Sequence, residues 1–150
     1  MSRRPPSSVL VVDANIVLSV VFGLRSRPVF EAVLATRALL TSARVREEVL
    51  GTAAHVGEPG AVEIATALLE MVTVVDASLY EDRLEPAAAV LRHAVASRNG
   101  SIKDAHVLAL AWTLDADIWS HDRDFAGTGW PSWSNANLRA SLERETQRPS

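Results

Sequence analysis

Acidic residues stand at four places in this chain where carboxylates could do chemistry, each near the end of a predicted strand or helix. They are Asp13, Glu48 (or its neighbour Glu47), Asp104 and Asp122, with Asp124 two residues further on. If these side chains converge in the fold, their charges repel one another unless a cation lies among them. The chain has no cysteine and no clustered histidines, and oxygen ligands of this kind suit Mg²⁺ or Mn²⁺. A metal held there could activate water and stabilise the leaving oxygen in phosphodiester hydrolysis.

Taken singly, each acid has a simpler structural explanation. Asp104 lies three residues after Ser101, which is the spacing of a capping box at the start of a helix. Asp13 and Asp122 could cap the turns that follow their strands, and the two glutamates could lie on a solvated helix face. The combination of all four positions is what favours a functional site.

Strands and helices alternate along the chain, and this alternation predicts how the acids are placed. The apolar run at 9–12, bounded by prolines and serines at 5–8, is typical of a strand buried on both faces. Further strands are predicted at 38–41, 72–75 and 118–120, and helices at 16–22, 28–34, 42–53, 61–70, 87–97, 101–114 and 137–145. The pattern predicts a three-layer α/β/α domain with a mostly parallel central sheet of about four to five strands. In such a sheet the carboxyl ends of the strands share one edge, which would bring Asp13 and Asp122 together.

Composition limits the class of protein. At 150 residues and 48% hydrophobic content, residues 1–150 should form a single domain with a real core; we expect 1–7 and 146–150 to be flexible ends. No apolar run approaches the roughly 20 residues of a membrane span, so we expect a soluble, cytoplasmic protein. The net charge of −3 argues against nucleic-acid binding by bulk electrostatics, but it leaves room for a nuclease whose metal ions supply local positive charge.

Four motifs in the chain resemble those of the PIN-domain family. A first strand ends in Asp, here Val-Val-Asp-Ala-Asn-Ile, and a Glu lies in the helix after the second strand, here Val-Arg-Glu-Glu-Val. An Asp opens a helix rich in Ala and Leu, here Ile-Lys-Asp-Ala-His-Val-Leu-Ala-Leu-Ala, and a hydroxyl residue stands two before an Asp, here Ser-His-Asp-Arg-Asp-Phe. The order and spacing match across about residues 9–126. Ser120 is a departure, because threonine is commoner there, but the hydroxyl is kept.

The resemblance implies a site and an activity. It makes Asp13, Glu48, Asp104 and Asp122 the metal-binding and catalytic acids. Asp124 would assist them, and Asn15 and Ser120 would donate hydrogen bonds to the carboxylates, although Asn15 could equally be a turn residue. The implied function is a Mg²⁺- or Mn²⁺-dependent endoribonuclease that hydrolyses single-stranded or structured RNA. Many small bacterial relatives are toxins paired with an antitoxin protein, so the implied partners are RNA and an antitoxin, with a homodimer as a further option and no membrane.

Two other functions compete with the ribonuclease. The segment Val-Leu-Val-Val-Asp also resembles the start of a phosphoacceptor receiver domain, for which Asp76 could be the acceptor. That fold needs a lysine after its fifth strand, and Lys103, the only lysine of the chain, precedes a helix instead. The remaining alternative is a catalytically idle PIN-like domain that acts as a protein-interaction or RNA-binding module, against which the presence of all four acids argues.

Aromatic residues and histidines carry weaker signals. Trp112 and Trp119 are expected in the core, whereas Trp130 and Trp133 lie in a predicted loop and either pack on the body or stack on bases. His106 is expected on a helix flank.

Overall fold

The computed structural model describes residues 4–23, 25–94 and 102–147, and its centre is a five-stranded sheet in which every pairing is parallel. The strands are β1 (Val9–Val12), β2 (Ala38–Ser42), β3 (Thr73–Val75), β4 (Asp117–Trp119) and β5 (Ser132–Trp133). Their order across the sheet is β3-β2-β1-β4-β5. The predicted mostly parallel sheet of four to five strands is therefore confirmed.

Seven α-helices in the described residues flank this sheet, and together they make the predicted three-layer α/β/α domain. They are α1 (Ala14–Phe22), α2 (Arg27–Thr36), α3 (Ala43–Val56), α4 (Ala61–Glu70), α5 (Leu84–Ala94), α6 (Ala105–Leu114) and α7 (Asn135–Gln147). Helix α6 packs on β1, β2 and β4, and α5 packs on α6. Helices α1, α3 and α4 pack on one another, and α2 packs on α7.

The order of the strands places a switch point beside β1. From β1 the chain moves outward to β2 and β3, and it then returns to the other side of β1 to form β4 and β5. Ligands of open α/β sheets bind in the crevice that such a reversal leaves beyond the carboxyl ends of the strands. Asp13 directly follows β1 and Ser120 directly follows β4, so both lie at this crevice.

Side-chain caps explain where two of the helices begin. The Asp13 carboxylate accepts a hydrogen bond from the Ala14 N–H at the start of α1, and the Ser42 hydroxyl accepts one from the Val45 N–H in α3. Helix α2 begins at Arg27, one residue before the predicted 28, and the side chain of the preceding Ser26 makes no capping bond. Helix α5 starts at Leu84, before the predicted 87, and its predicted end at 97 lies outside the described residues.

Helix α6 begins later than the helix predicted at 101–114 and is more deeply buried than a helix with a single apolar face. A short 3-10 turn (Ile102–Asp104) precedes it, and the first seven residues of α6, 105–111, are all buried. The helix is enclosed by the sheet on one side and by α5 on another. The buried side chains of α6 therefore lie on all sides of the helix and do not form a single apolar face.

The predicted loop at 127–133 instead contains the edge strand β5. Its tryptophans pack on the body of the protein. The Trp130 indole N–H donates to the Ala116 carbonyl over 2.8 Å, and the Trp133 indole N–H donates to Asp117 Oδ2 over 2.9 Å. Trp119 is fully buried, as expected, and its ring stacks on Phe30.

The segment that leads into β1 is tied to the body. Arg4 forms an ion pair of 2.7 Å with the buried Asp117, and the Ser7 N–H donates to the same carboxylate over 3.1 Å. Arg4 and Ser7 thus both bind the carboxylate of the first residue of β4. In the described ranges no helix is long and apolar enough to cross a membrane.

Candidate active site

Asp13 is the most firmly held of the four acids. Its Oδ1 accepts the capping bond from Ala14 N–H at 2.7 Å, and its Oδ2 accepts from the Ser120 hydroxyl at 2.8 Å. The Asp13 N–H donates to the carbonyl of Trp119 over 3.0 Å, which extends the β1–β4 pairing by one residue. The carboxylate is 4% exposed, so almost all of its interactions are with the protein.

Asn15 and Ser120 connect the two loops on either side of the crevice. The Asn15 Nδ2 lies 3.2 Å from the Ser120 hydroxyl and 3.4 Å from Asp13 Oδ2. The side-chain Oδ1 of Asn15 accepts a hydrogen bond from the His121 N–H, and the Ser120 hydroxyl accepts one from the Asp122 N–H. This network orients the Asp13 carboxylate and fixes the backbone that carries Asp122.

The carboxyl group of Asp104 lies within hydrogen-bonding reach of the Asp122 carboxyl group. Burial raises the pKa of Asp104 to about 8, and the charge of Asp13, the bond to Asp122 and the charges of Asp122 and Glu48 add to the effect. Burial also raises the pKa of Asp13 to about 6, against the hydrogen bonds from Ser120 and Ala14. Carboxyl groups with raised pKa values that share a crevice are a common property of functional sites.

The two adjacent glutamates lie in different surroundings. The charge of Glu48 raises the pKa values of both Asp13 and Asp104, which places Glu48 beside the other acids. The charge of Glu47 acts instead on Tyr80. Both glutamates are exposed. Glu48 is therefore the glutamate that lies near the three aspartates. We call Asp13, Glu48, Asp104 and Asp122 the acid cluster.

The donor set of the acid cluster fits a hard divalent cation. Carboxylates and a neighbouring hydroxyl are the ligands that Mg²⁺ and Mn²⁺ prefer. A cation would offset the like-charge repulsion that adds to burial in raising the pKa values of Asp13 and Asp104. Within the described residues, however, no three His, Cys, Asp or Glu side chains are already arranged to hold a metal ion. Asp124 lies in the 3-10 turn Arg123–Thr128, and its side chain is outside the described part of the chain.

The simpler explanations of the acids fare differently. Asp13 does cap α1, as that explanation requires, and it also lies in the acid cluster. Asp104 is the residue before α6, but its side chain makes no capping bond; Ser101, the other half of the suggested capping box, lies outside the described residues.

His106 is buried rather than on a helix flank, which corrects the sequence-based expectation. Its Nδ1 lies 2.7 Å from the Ser42 hydroxyl, and the Tyr80 hydroxyl lies near Ser42 and the backbone of Ala43. Burial lowers the pKa of His106 to about 4, and the charge of Arg44 lowers it further. The only signal in the sequence was a lone histidine in an otherwise apolar stretch, which does not name its partners.

A parallel α/β sheet with carboxylates at its switch point defines a class of α/β domains that bind ligands at this edge of the sheet. The comparisons identify the family within that class. The PIN domain model matches residues 11–143, so the chain belongs to the PIN-domain family, and this membership supports a nuclease. A comparison with curated protein sequences gives no significant match.

Solved structures share this fold at low sequence identity. FitAcB from Neisseria gonorrhoeae superposes with a TM-score of 0.65 at 12% identity, covering 86% of this chain and 99% of that one. VapBC2 from Rickettsia felis, bound to a DNA fragment from its promoter, gives 0.61 at 12% identity, with coverages of 84% and 98%. VapC20 from Mycobacterium tuberculosis, a toxin that cleaves the sarcin-ricin loop, gives 0.61 at 20% identity, with coverages of 81% and 95%. At these identities the likeness shows the fold alone.

Proposed function

We propose that this protein is a metal-dependent endoribonuclease and the toxin of a toxin–antitoxin pair. The observation that carries the proposal is the acid cluster at the switch point of a PIN-domain sheet, where the pKa values of Asp13 and Asp104 are raised in the absence of a cation. VapBC2 and FitAcB share the fold, and VapC20, which shares it too, is a toxin that cleaves the sarcin-ricin loop. These likenesses support an antitoxin partner and an RNA substrate for this chain.

In this proposal Asp13, Glu48, Asp104 and Asp122 hold one or more Mg²⁺ or Mn²⁺ ions. The metal would supply a water of lowered pKa and positive charge for the leaving oxygen. Asn15 and Ser120 keep the Asp13 carboxylate oriented through their hydrogen bonds. Asp104 must lose its proton before its carboxylate can bind a cation. Asp124 is assigned an assisting role.

The substrate in this proposal is single-stranded or structured RNA in the cytoplasm. A protein of net charge −3 has little bulk attraction for a long duplex, and unpaired bases are what proteins recognise most readily in RNA. Without metal, the acid cluster would repel the phosphates. A homodimer remains part of the proposal as a further partner.

Cleavage of labelled RNA by matched glutamate variants tests the proposal. With Mn²⁺ the protein should cut single-stranded or folded RNA, and EDTA should stop it. Glu48→Gln should lower the rate by at least ~100-fold and weaken Mn²⁺ binding measured by calorimetry, because it removes a ligand charge. Glu47→Gln, a change at an exposed position beside Tyr80, should keep Mn²⁺ binding near normal and alter stability by no more than ~0.5 kcal/mol.

Three outcomes would contradict the proposal. Efficient cutting of duplex DNA alone would overturn the RNA assignment. Activity that survives Glu48→Gln but dies with Glu47→Gln would exchange the two glutamates. Absence of both Mn²⁺ binding and cleavage of single-stranded, structured and total RNA would leave the idle interaction domain as the better description.

A further inference from the structure

A cleft adjoins the acid cluster on the side of β2 and β3. Its volume is about 670 Å³, within the roughly 300–1,000 Å³ typical of small-ligand sites. The residues that line it come from the start of α3, the turns after β3, helix α5 and the start of α6. The cleft therefore lies beyond the carboxyl ends of the strands, at the same edge as the acids.

The cleft and the acid cluster are continuous along the chain. Glu47 lines the cleft, while Glu48, the next residue, faces the acids. Likewise Lys103 and Ala105 line the cleft on either side of Asp104. A polymer whose reacting group lies at the acid cluster would have its neighbouring unit at this cleft.

The lining joins an apolar wall to a basic rim. Leu84, Ala88 and Ala105 are among the apolar residues that form the wall, and the buried Tyr80 and His106 lie at its inner end. Arg44, Arg92 and Lys103 are exposed at the rim, against two lining glutamates, Glu47 and Glu85. The rim thus has an excess of positive charge next to a cluster of opposite sign.

We propose that this cleft binds the nucleoside next to the scissile phosphate, with its base against the apolar wall and its outer phosphate at Arg44 and Arg92. The proposal rests on the ribonuclease function proposed above and adds a subsite to it. Since the Tyr80 ring is only 2% exposed, burial against aliphatic side chains rather than stacking would hold the base. An acidic peptide would satisfy the basic rim as well, but it gives no reason for the continuity with the acid cluster.

Binding of a labelled five-nucleotide single-stranded RNA in Ca²⁺, a hard cation that offsets the charge of the acids, tests the subsite apart from cleavage. The variant Arg44→Gln combined with Arg92→Gln should lower affinity roughly tenfold and reduce the salt dependence of binding, because two phosphate contacts are lost. Arg46→Gln is the matched control: Arg46 is also exposed on α3 but does not line this cleft. Its affinity should stay within about twofold of the wild type.

A second variant probes the apolar wall. Ala88→Leu adds volume to the cleft at a half-buried position and should raise KM for RNA with Mn²⁺ while changing kcat little. Ala32→Leu, in a separate surface pocket beside α7, is its control, and circular dichroism checks that both variants fold.

The outcomes separate the subsite from the function. If the wild type cuts RNA and the double arginine variant binds it like Arg46→Gln, the subsite is wrong and the nuclease stands. If the wild type neither binds nor cuts RNA, the proposed function fails and the subsite with it. If a polyglutamate peptide binds in an Arg44- and Arg92-dependent way while RNA binding is unchanged in the double variant, the cleft belongs to an acidic peptide.

Discussion

Single carboxyl groups in this protein serve the fold and the site at once. Asp13 caps α1, accepts the Ser120 hydroxyl and contributes to the acid cluster. The cost of that arrangement appears as raised pKa values of buried acids, since their charged forms are poorly solvated and close to like charges. A residue with so many partners makes stability depend on pH and on metal.

The first prediction concerns stability between pH 6.5 and 8 without metal. The pKa of Asp104 is about 8 in the folded protein against an ordinary value of 3.8, so the folded state keeps a proton that the unfolded chain has lost. Stability should therefore fall as pH rises through this window. The Asp13 pKa of about 6 adds the same trend at lower pH, but the lowered pKa of His106 opposes it there, because a buried neutral histidine loses stability as pH falls below 6.5.

Urea unfolding at several pH values in EDTA and in Mn²⁺ measures this dependence. Mn²⁺ should stabilise the protein by about 2.7 kcal/mol at a hundredfold excess over its Kd, and the gain should grow towards pH 8 as protons leave. Asp104→Asn should flatten the slope in EDTA. Stability that rises with pH between 6.5 and 8 in EDTA would show that these acids are not protonated in the fold.

At the scale of elements, short polar contacts decide how the helices meet at the sheet edge. Ser42 ends β2, caps α3 and contacts His106 of α6, and Tyr80 from the turns after β3 lies near the same hydroxyl. Four elements therefore meet at one serine. Helix ends elsewhere are set by backbone conformation: Gly57 ends α3 with φ of 72°, in the left-handed region.

Alanine substitutions at two glycines, one inside α3 and one directly after it, should change the stability of the protein in opposite directions. Gly57→Ala should destabilise the protein by about 1 kcal/mol, because the left-handed conformation at the end of α3 is unfavourable with a Cβ. Gly51→Ala lies inside α3, where an added Cβ meets no atom within 4 Å, and should stabilise it by up to about 1 kcal/mol. Thermal or urea unfolding measures both, and equal effects of the same sign would contradict this account of the helix end.

At the scale of the whole molecule, one arginine joins the two ends of the described chain. Arg37 forms a two-point ion pair with Glu145 of α7, and its guanidinium also donates to the carbonyls of Pro6 and Ser7. Its side chain is 10% exposed. The lead into β1 and the last helix are thus held against each other near the end of α2.

Arg37→Ala should cost about 2–4 kcal/mol of unfolding free energy, since it leaves a half-buried carboxylate and two carbonyls without their donor. Arg139→Ala is the control, because the Arg139–Glu143 pair is exposed on both sides and should contribute no more than about 0.5 kcal/mol. Urea denaturation compares the two, and a similar small loss for both would show that this contact does not hold the ends together.

Much of the architecture could be predicted from the sequence because it depends on local patterns. Apolar runs and polar residues at helix starts, within a few positions of one another, predict three of its parts. These are the buried strand before Asp13, the helix from 42 and the helix at 61–70. The parallel α/β class follows from the alternation of these elements. The family resemblance then predicts which four acids form the site.

The tertiary structure alone decided the relations between residues far apart in the chain. The burial of residues 105–111 in α6, the pairing of β5 with β4 and the burial of His106 against Ser42 all depend on which elements pack together. The cleft beside the acids also exists only where α3, α5 and α6 meet. A sequence pattern records how often a residue recurs along one element, whereas burial, charge coupling and cavities arise from neighbours that another element supplies.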